Sequence, residues 1–377
     1  MDPSAPRAAY IADADAVTTA FTRIHYLPAF IFGHVKYVTT NAVVSAPAVR
    51  DQARFPVLLF LEGATGYRQM NTFQVEELVS QGYIVAAIDQ PGAAAEVVFP
   101  DGHAILGLTV AQSQAAVAPS YLPDKVAPLF NGKALEGGSI IPYLAADVIF
   151  SLDQLAVLNG ADPNRILTGR LDLERVGIFG VSLGGIVAGE ACRLEPRLRA
   201  CLMMDAPMPT TVVKSGLQQP GMWITRDAAT MRLERQRSGG WPEVEIDAHQ
   251  TTMRSVYESL PGAGYFVRVP GMFHSNFTDV PNWSSLLPIL GITGPIDGQR
   301  AHRIINAYSL AFFDRHLKRC PVSLLVESAA PLPEVLFETR GRALDAESTT
   351  AITGQAPPSA RSLSLKCPET TASARVR

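Results

Sequence analysis

The residues best able to do chemistry lie in "RVGIFGVSLGGIVAGEA", Arg175 to Ala191. An apolar run enters Ser182, glycines stand two residues before and two after it, and small and apolar residues follow. A serine hydroxyl is a weak nucleophile. It attacks a carbonyl only with a base to take its proton, a group to orient that base and donors to hold the oxyanion. The pattern Gly-x-Ser-x-Gly arises easily in a chain with 29 glycines, so Ser182 counts as a nucleophile only if those partners are present. Downstream stand four histidines, His249, His274, His302 and His316, and two aspartates that close apolar runs, Asp205 and Asp227.

His302 and His316 fall within "HRIINAYSLAFFDRHL", which has helical spacing, and His316 sits near its C-terminal end, where the helix dipole favours a histidine anyway. His249 lies in the polar helical stretch "EIDAHQTTMRSVYESL". His274 alone follows an apolar strand by a few residues, in "YFVRVPGMFHSNFTDVP", and is the expected base. Asp205 closes "RACLMMD" and precedes "APMP", which forbids an immediate helix. Asp227 closes "GMWITRD" and precedes "AATMRLERQR", where it can serve as a helix N-cap. Asp205 is therefore the expected acid and Asp227 the alternative. For the oxyanion, one backbone N–H is expected from Leu183 and the other from Ala64, with Thr65 next, in "EGATGYRQM" after the run "PVLLFL".

Those residues need strands and helices to hold them. Short apolar runs read as buried strands at 56–61, 83–89, 175–180, 199–205, 221–225 and 265–269, and segments with helical spacing lie between them at 72–82, 141–160 and 302–317. Pro142 near the start and Gly160 at the end of 141–160 are the usual helix punctuation. The alternation predicts an α/β chain with a mostly parallel sheet of about eight strands covered on both faces. Serine, acid and histidine in that order along such a sheet are the arrangement of the α/β-hydrolase fold. Residues 1–341 read as a single domain with insertions at about 91–140 and 277–298, and 342–377 as a mobile, polar tail. Insertions of this kind often serve as lids or binding loops. On that basis Phe99, Trp283, Leu286 and Leu287 are the expected pocket residues.

Composition narrows the function classes. Apolar residues make up 47% and charged residues 18% of the chain, and 32 basic against 35 acidic side chains leave a net charge of −3. With no basic block, neither nucleic acid nor an anionic membrane is an expected partner. No run of 18 apolar residues predicts a spanning helix. Cys192, Cys201, Cys320 and Cys367 match no zinc spacing, and Cys192 and Cys201, in apolar segments, read as small packed hydrophobes. The start "MDPSAPRAAYIADADA" has neither a basic nor an apolar leader region. Cytoplasmic location is the default expectation, and export with a removed signal is the alternative.

Taken together, these residues resemble the plasma and intracellular type II platelet-activating-factor acetylhydrolases and related bacterial carboxylesterases. The likeness rests on "FPVLLFLEGATGYRQ", "LVSQGYIVAAIDQ", "IFGVSLGG", "RLRACLMMDAPM", "FHSNFTD" and "AYSLAFFDRHL". It departs at Glu62, where the family usually has His, at Val181, where His is frequent, and through 91–140. The resemblance implies a calcium-independent serine esterase with Asp205 as acid and His274 as base. The expected reaction is hydrolysis of a short-chain or small apolar ester through an acyl-enzyme on Ser182, needing no metal and no organic cofactor. The substrate class includes small-molecule and polymeric esters. Acyl transfer or another α/β-hydrolase reaction, and a silent binding member of the fold, are the alternatives.

Overall fold

The computed structural model describes residues 5–49, 53–129, 132–326 and 332–341. The chain begins with β1 (Arg7–Ala9), α1 (Ala14–Ile24) and β2 (Thr39–Val43), then runs through β3 (Phe55–Leu61), α2 (Thr72–Ser80) and β4 (Ile84–Ile88). The segment expected as an insertion forms β5 (Glu96–Val98), β6 (Ala104–Leu106) and α3 (Val110–Val117), the last opened by a Thr109 capping box. Next come α4 (Ile141–Gly160), β7 (Leu171–Val181), α5 (Leu183–Leu194), β8 (Leu198–Met204), α6 (Thr210–Ser215) and β9 (Gly221–Thr225). The chain closes with α7 (Ala228–Ser238), α8 (Glu243–Ser259), β10 (Gly264–Arg268), α9 (Gly298–Leu317) and β11 (Leu336–Arg340).

The central sheet has the order β11-β10-β9-β8-β7-β3-β4. Its strands are parallel except β11, which runs antiparallel to β10. Among the described residues this is seven strands rather than about eight, because β1 and β2 pair with each other apart from the sheet. The two-residue period of a strand divides the core. On β3, Val57, Leu59 and Leu61 face the layer of α4, α5 and α8, whereas Leu58 and Phe60 face the layer of α2 and α9. Burial on both faces is why these strands read as continuous apolar runs. Helix α4 is long and apolar enough to cross a membrane (mean hydropathy 1.5), but its Leu144, Val148 and Leu152 pack into the core beside the sheet.

A further expectation changes here. Cys192 and Cys201 do not merely pack; they form a disulfide, with Cα atoms 6.6 Å apart. The short connection from α5 into β8 brings the last helical turn back over the strand, which spacing alone did not reveal. Cys320 is also disulfide-bonded. At the N-terminus, α1 builds a third apolar cluster from Ala14, Val17, Phe21 and Ile24 with Tyr67 and, at its edge, Trp283. The expected tail at 342–377 lies outside the described residues.

In the sheet order, β7 lies between β3 on one side and β8 on the other, so the connections diverge around it. Loops at the carboxyl ends of strands flanking such a point leave a crevice for a ligand.

Candidate active site

Five strand ends converge on that crevice. Ser182 follows β7 directly and is the N-cap of α5, with φ 57° and ψ −122°. A non-glycine residue at such a φ is strained by roughly 1–3 kcal/mol. Crowding enforces the turn. A Cβ added to Gly180 would lie 2.3 Å from the Gly184 carbonyl oxygen, one on Gly184 2.2 Å from that of Leu61, and one on Gly185 2.7 Å from the Ala206 Cβ. Each flanking glycine is therefore a steric requirement, and the strain raises Ser182 above the sheet.

The loop after β3 carries the oxyanion candidates. Gly63 comes close to Ser182; a Cβ there would be 3.3 Å from the Ser182 Cβ. The Thr65 N–H is already engaged, donating to Ala93 O at 2.6 Å. That leaves Ala64 beside Leu183, whose N–H opens α5 without an intrahelical acceptor. Thr65, at φ 60°, donates its hydroxyl to Ala64 O at 2.6 Å and meets His25 Nε2 at 3.0 Å. Glu62 is buried, and burial together with the nearby Asp89 pushes its carboxyl up to about 8.

Asp205 follows β8 directly at φ 45°, and its Oδ2 accepts from His274 Nδ1 at 2.6 Å. Burial alone would raise its carboxyl. The Arg226 guanidinium, the His274 hydrogen bond and His249 outweigh that and hold it well below the usual carboxylate range. Asp227 does something else: it caps α7, accepting from Thr230 N at 2.6 Å. The remaining histidines also have places. His302 Nε2 bonds Thr278 O at 2.8 Å, with its ring stacked on Phe73. His316 bonds the Tyr265 hydroxyl at 3.1 Å.

Sequence reasoning missed several residues behind Asp205. Arg226 Nε lies 2.9 Å from Asp205 Oδ2, its side chain fully buried and also paired with Glu234. His249 Nε2 approaches Asp205 Oδ1 at 3.6 Å, and burial lowers its imidazole to about 4, so it is neutral near pH 7. The "TRD" at the end of β9 and just beyond it is the one sequence signal for Arg226.

Two unequal spaces meet at Ser182. A cleft of about 1020 Å³ is lined by Phe21, Ile31, Phe32, Trp283 and Leu287, together with Ser182 and His274. A pocket of about 90 Å³ opens on the other side between Leu183, Ile186, Val117, Tyr121 and Glu245. Of the expected pocket residues, Trp283 and Leu287 line the cleft. Phe99 lines neither space; it sits at the β5–β6 turn, stacked on His103 at 4.2 Å. Leu286 points outward, 58% exposed. The main wall of the cleft comes instead from residues 10–41. The helical spacing of Ala14, Val17, Phe21 and Ile24 was the signal for it.

No family model matches the chain. It is similar to the platelet-activating factor acetylhydrolase of Gallus gallus, 23% identical over 75% of this chain and 67% of that protein. The enzymes of the same name from Cavia porcellus (26% identical, 70% and 58% covered) and Canis lupus familiaris (23%, 76% and 62%) are comparable. The chain thus spans roughly three-fifths to two-thirds of the length of these relatives. Among solved structures, a ferulic acid esterase from Streptomyces cinnamoneus superposes with a TM-score of 0.64 at 26% identity, covering 89% of this chain and 85% of that one. The fold is that of the α/β hydrolases, and the chain resembles their esterases.

Proposed function

We propose that this α/β hydrolase cleaves carboxylic esters with Ser182, His274 and Asp205 as its triad. The observation that carries the reading is the 2.6 Å bond from His274 Nδ1 to a buried, ionised Asp205, with Ser182 and His274 lining one cleft. Asp205 fixes the tautomer that leaves Nε2 free to take the Ser182 proton. The Ser182 oxygen attacks the ester carbonyl, and the Leu183 and Ala64 N–H groups receive the developing oxyanion. His274 returns the proton to the departing alkoxide. Water, activated by the same imidazole, then releases the acid from Ser182.

The two spaces support an assignment of the substrate's halves. The general acid must reach the leaving oxygen. His274 lines the large cleft and not the small pocket, so the alcohol belongs in the cleft and the acyl group against Leu183 and Ile186. This describes a short acyl group on a bulky apolar alcohol. A second reading places an aromatic acyl group in the cleft, favoured by the rings of Phe21, Phe32 and Trp283. A grid of esters varying acyl length and alcohol size independently separates them. The first reading expects kcat/KM to fall with acyl length beyond a few carbons and to rise with alcohol size; the reverse trend selects the second. Hydrolysis without an added acceptor argues against acyl transfer, and absence of any turnover leaves the silent binding protein. The disulfides support export to an oxidising compartment, which alkylation of the native protein before and after reduction tests.

A further inference from the structure

Behind the histidine, four residues close a ring. Asp205 Oδ2 accepts from His274 Nδ1 at 2.6 Å. Arg226 Nε reaches Asp205 Oδ2 at 2.9 Å and Oδ1 at 3.2 Å. The Nη1 of Arg226 pairs with Glu234 Oε2, and Glu234 Oε1 accepts from the His274 backbone N–H at 3.2 Å. One guanidinium thus anchors both the carboxylate that holds the His274 ring and the carboxylate that holds its backbone. The four groups come from the ends of β8 and β9, from α7 and from the loop after β10. The Trp241 indole covers the assembly, with the guanidinium 4.5 Å above its centroid and the His274 ring edge-on at 4.8 Å.

Stability alone gives little reason for this ring. Buried ion pairs are often no better for folding than apolar residues of the same size. Its charge balance does bear on the reaction. With a neutral imidazole the ring carries two negative groups and one positive; when His274 takes the serine proton, the charges cancel. We propose, resting on the triad reading above, that Arg226 and Glu234 are positioning residues: they fix His274 against Asp205, and Glu234 offsets the guanidinium that would otherwise oppose the imidazolium. The charged or titratable groups facing the ring from the packed elements are Asp227 at the start of α7 and His249 on α8. Asp227 is spent on its cap, and His249 is neutral near pH 7.

The test is kcat against pH for wild type, Glu234→Gln, Arg226→Gln and Arg226→Lys on one nitrophenyl ester, with fluorophosphonate labelling of each. The two charge removals are expected to move the acid limb of kcat in opposite directions. Glu234→Gln leaves the guanidinium uncompensated and shifts it down by about half to one pH unit, whereas Arg226→Gln shifts it up. Glu234→Gln is expected to lose about tenfold in kcat with KM nearly unchanged, because the positioning of His274 and not substrate binding is disturbed. Arg226→Lys keeps the charge but not both contacts, so its kcat falls while its acid limb stays in place. A wild type that neither labels nor turns over would sink the triad reading itself. An active wild type with Glu234→Gln unchanged in kcat and acid limb overturns the ring inference alone, as do variants that lose rate with no shift between them. If Arg226→Gln does not fold, Glu234→Gln and Arg226→Lys decide.

Discussion

The two sides of Ser182 are built by different means. On one side, the ends of β8, β9 and β10 supply Asp205, Arg226 and the loop of His274, joined by short polar contacts and wholly or largely buried. On the other, a cleft of about 1020 Å³ is walled by α1, by the segment after it and by Trp283 and Leu287. The first side is fixed by the sheet, whose parallel register places each strand end to within a residue. The second is held by aromatic edges, such as Phe21 and Phe32 against Trp283. Under the proposed triad the sheet carries the chemistry, and a segment remote in sequence shapes the cleft beside it.

The largest effect that could break this division lies on the chemical side. Asp205→Asn is expected to lower kcat about 10⁴-fold by presenting the wrong partner to His274 Nδ1. Asp227→Asn should leave kcat within about threefold, since an asparagine caps a helix about as well. Steady-state rates of the two variants settle the acid, and a crippled Asp227→Asn with an active Asp205→Asn reverses the assignment.

A smaller effect concerns what holds the chemical side together. The disulfide links α5, which begins just after Ser182, to β8, which ends just before Asp205. Replacing Cys192 and Cys201 with alanine should cost about 2–3 kcal/mol of stability and leave kcat nearly unchanged, as read by denaturant melts and rates. A proportionate loss of kcat would mean that the sheet alone does not fix the site.

On the other side, Trp283→Ala should raise KM about tenfold for esters of bulky alcohols, the value of one aromatic wall. It should leave methyl esters unaffected, because their alcohol does not reach the ring. Equal losses for both would show that the cleft is part of the catalytic frame.

The smallest effect is at the loop between the two sides. The Glu62 carboxyl is pushed up to about 8 in the fold, while in the unfolded chain it ionises in the ordinary range. The unfolded state therefore releases its proton first, and the stability tied to the neutral carboxyl is lost as pH rises from about 4.5 to about 8. Glu62→Gln cannot ionise, so its stability relative to wild type should rise steadily between pH 5 and pH 8 in parallel denaturant melts. A difference independent of pH would contradict the buried neutral acid.

The same division explains what could be read in the sequence. Strands β3, β7, β8 and β9 are largely buried on both faces, so each appears as an apolar run ending in a candidate site residue or loop. Local crowding at Gly180 and Gly184 makes the elbow a short pattern. Glu234 and His249 left no pattern and Arg226 only its place in "TRD", because their meaning arises only when three strand ends and two helices are brought together. The cleft wall was legible only in pieces, as a helical spacing at 14–24 and an aromatic at Trp283: Phe21 and Trp283 are 262 positions apart and meet only across the assembled fold. The disulfide was hidden because apolar surroundings suit a buried thiol and a buried disulfide equally.

The most direct measurement is peptide mapping after reaction with a fluorophosphonate, alongside nitrophenyl acetate hydrolysis by wild type and Ser182→Ala. The account predicts one adduct, on the peptide containing Ser182, in a wild type that hydrolyses the ester, and neither adduct nor turnover in Ser182→Ala. An adduct on another residue, or an ester hydrolysed equally well by Ser182→Ala, would contradict it.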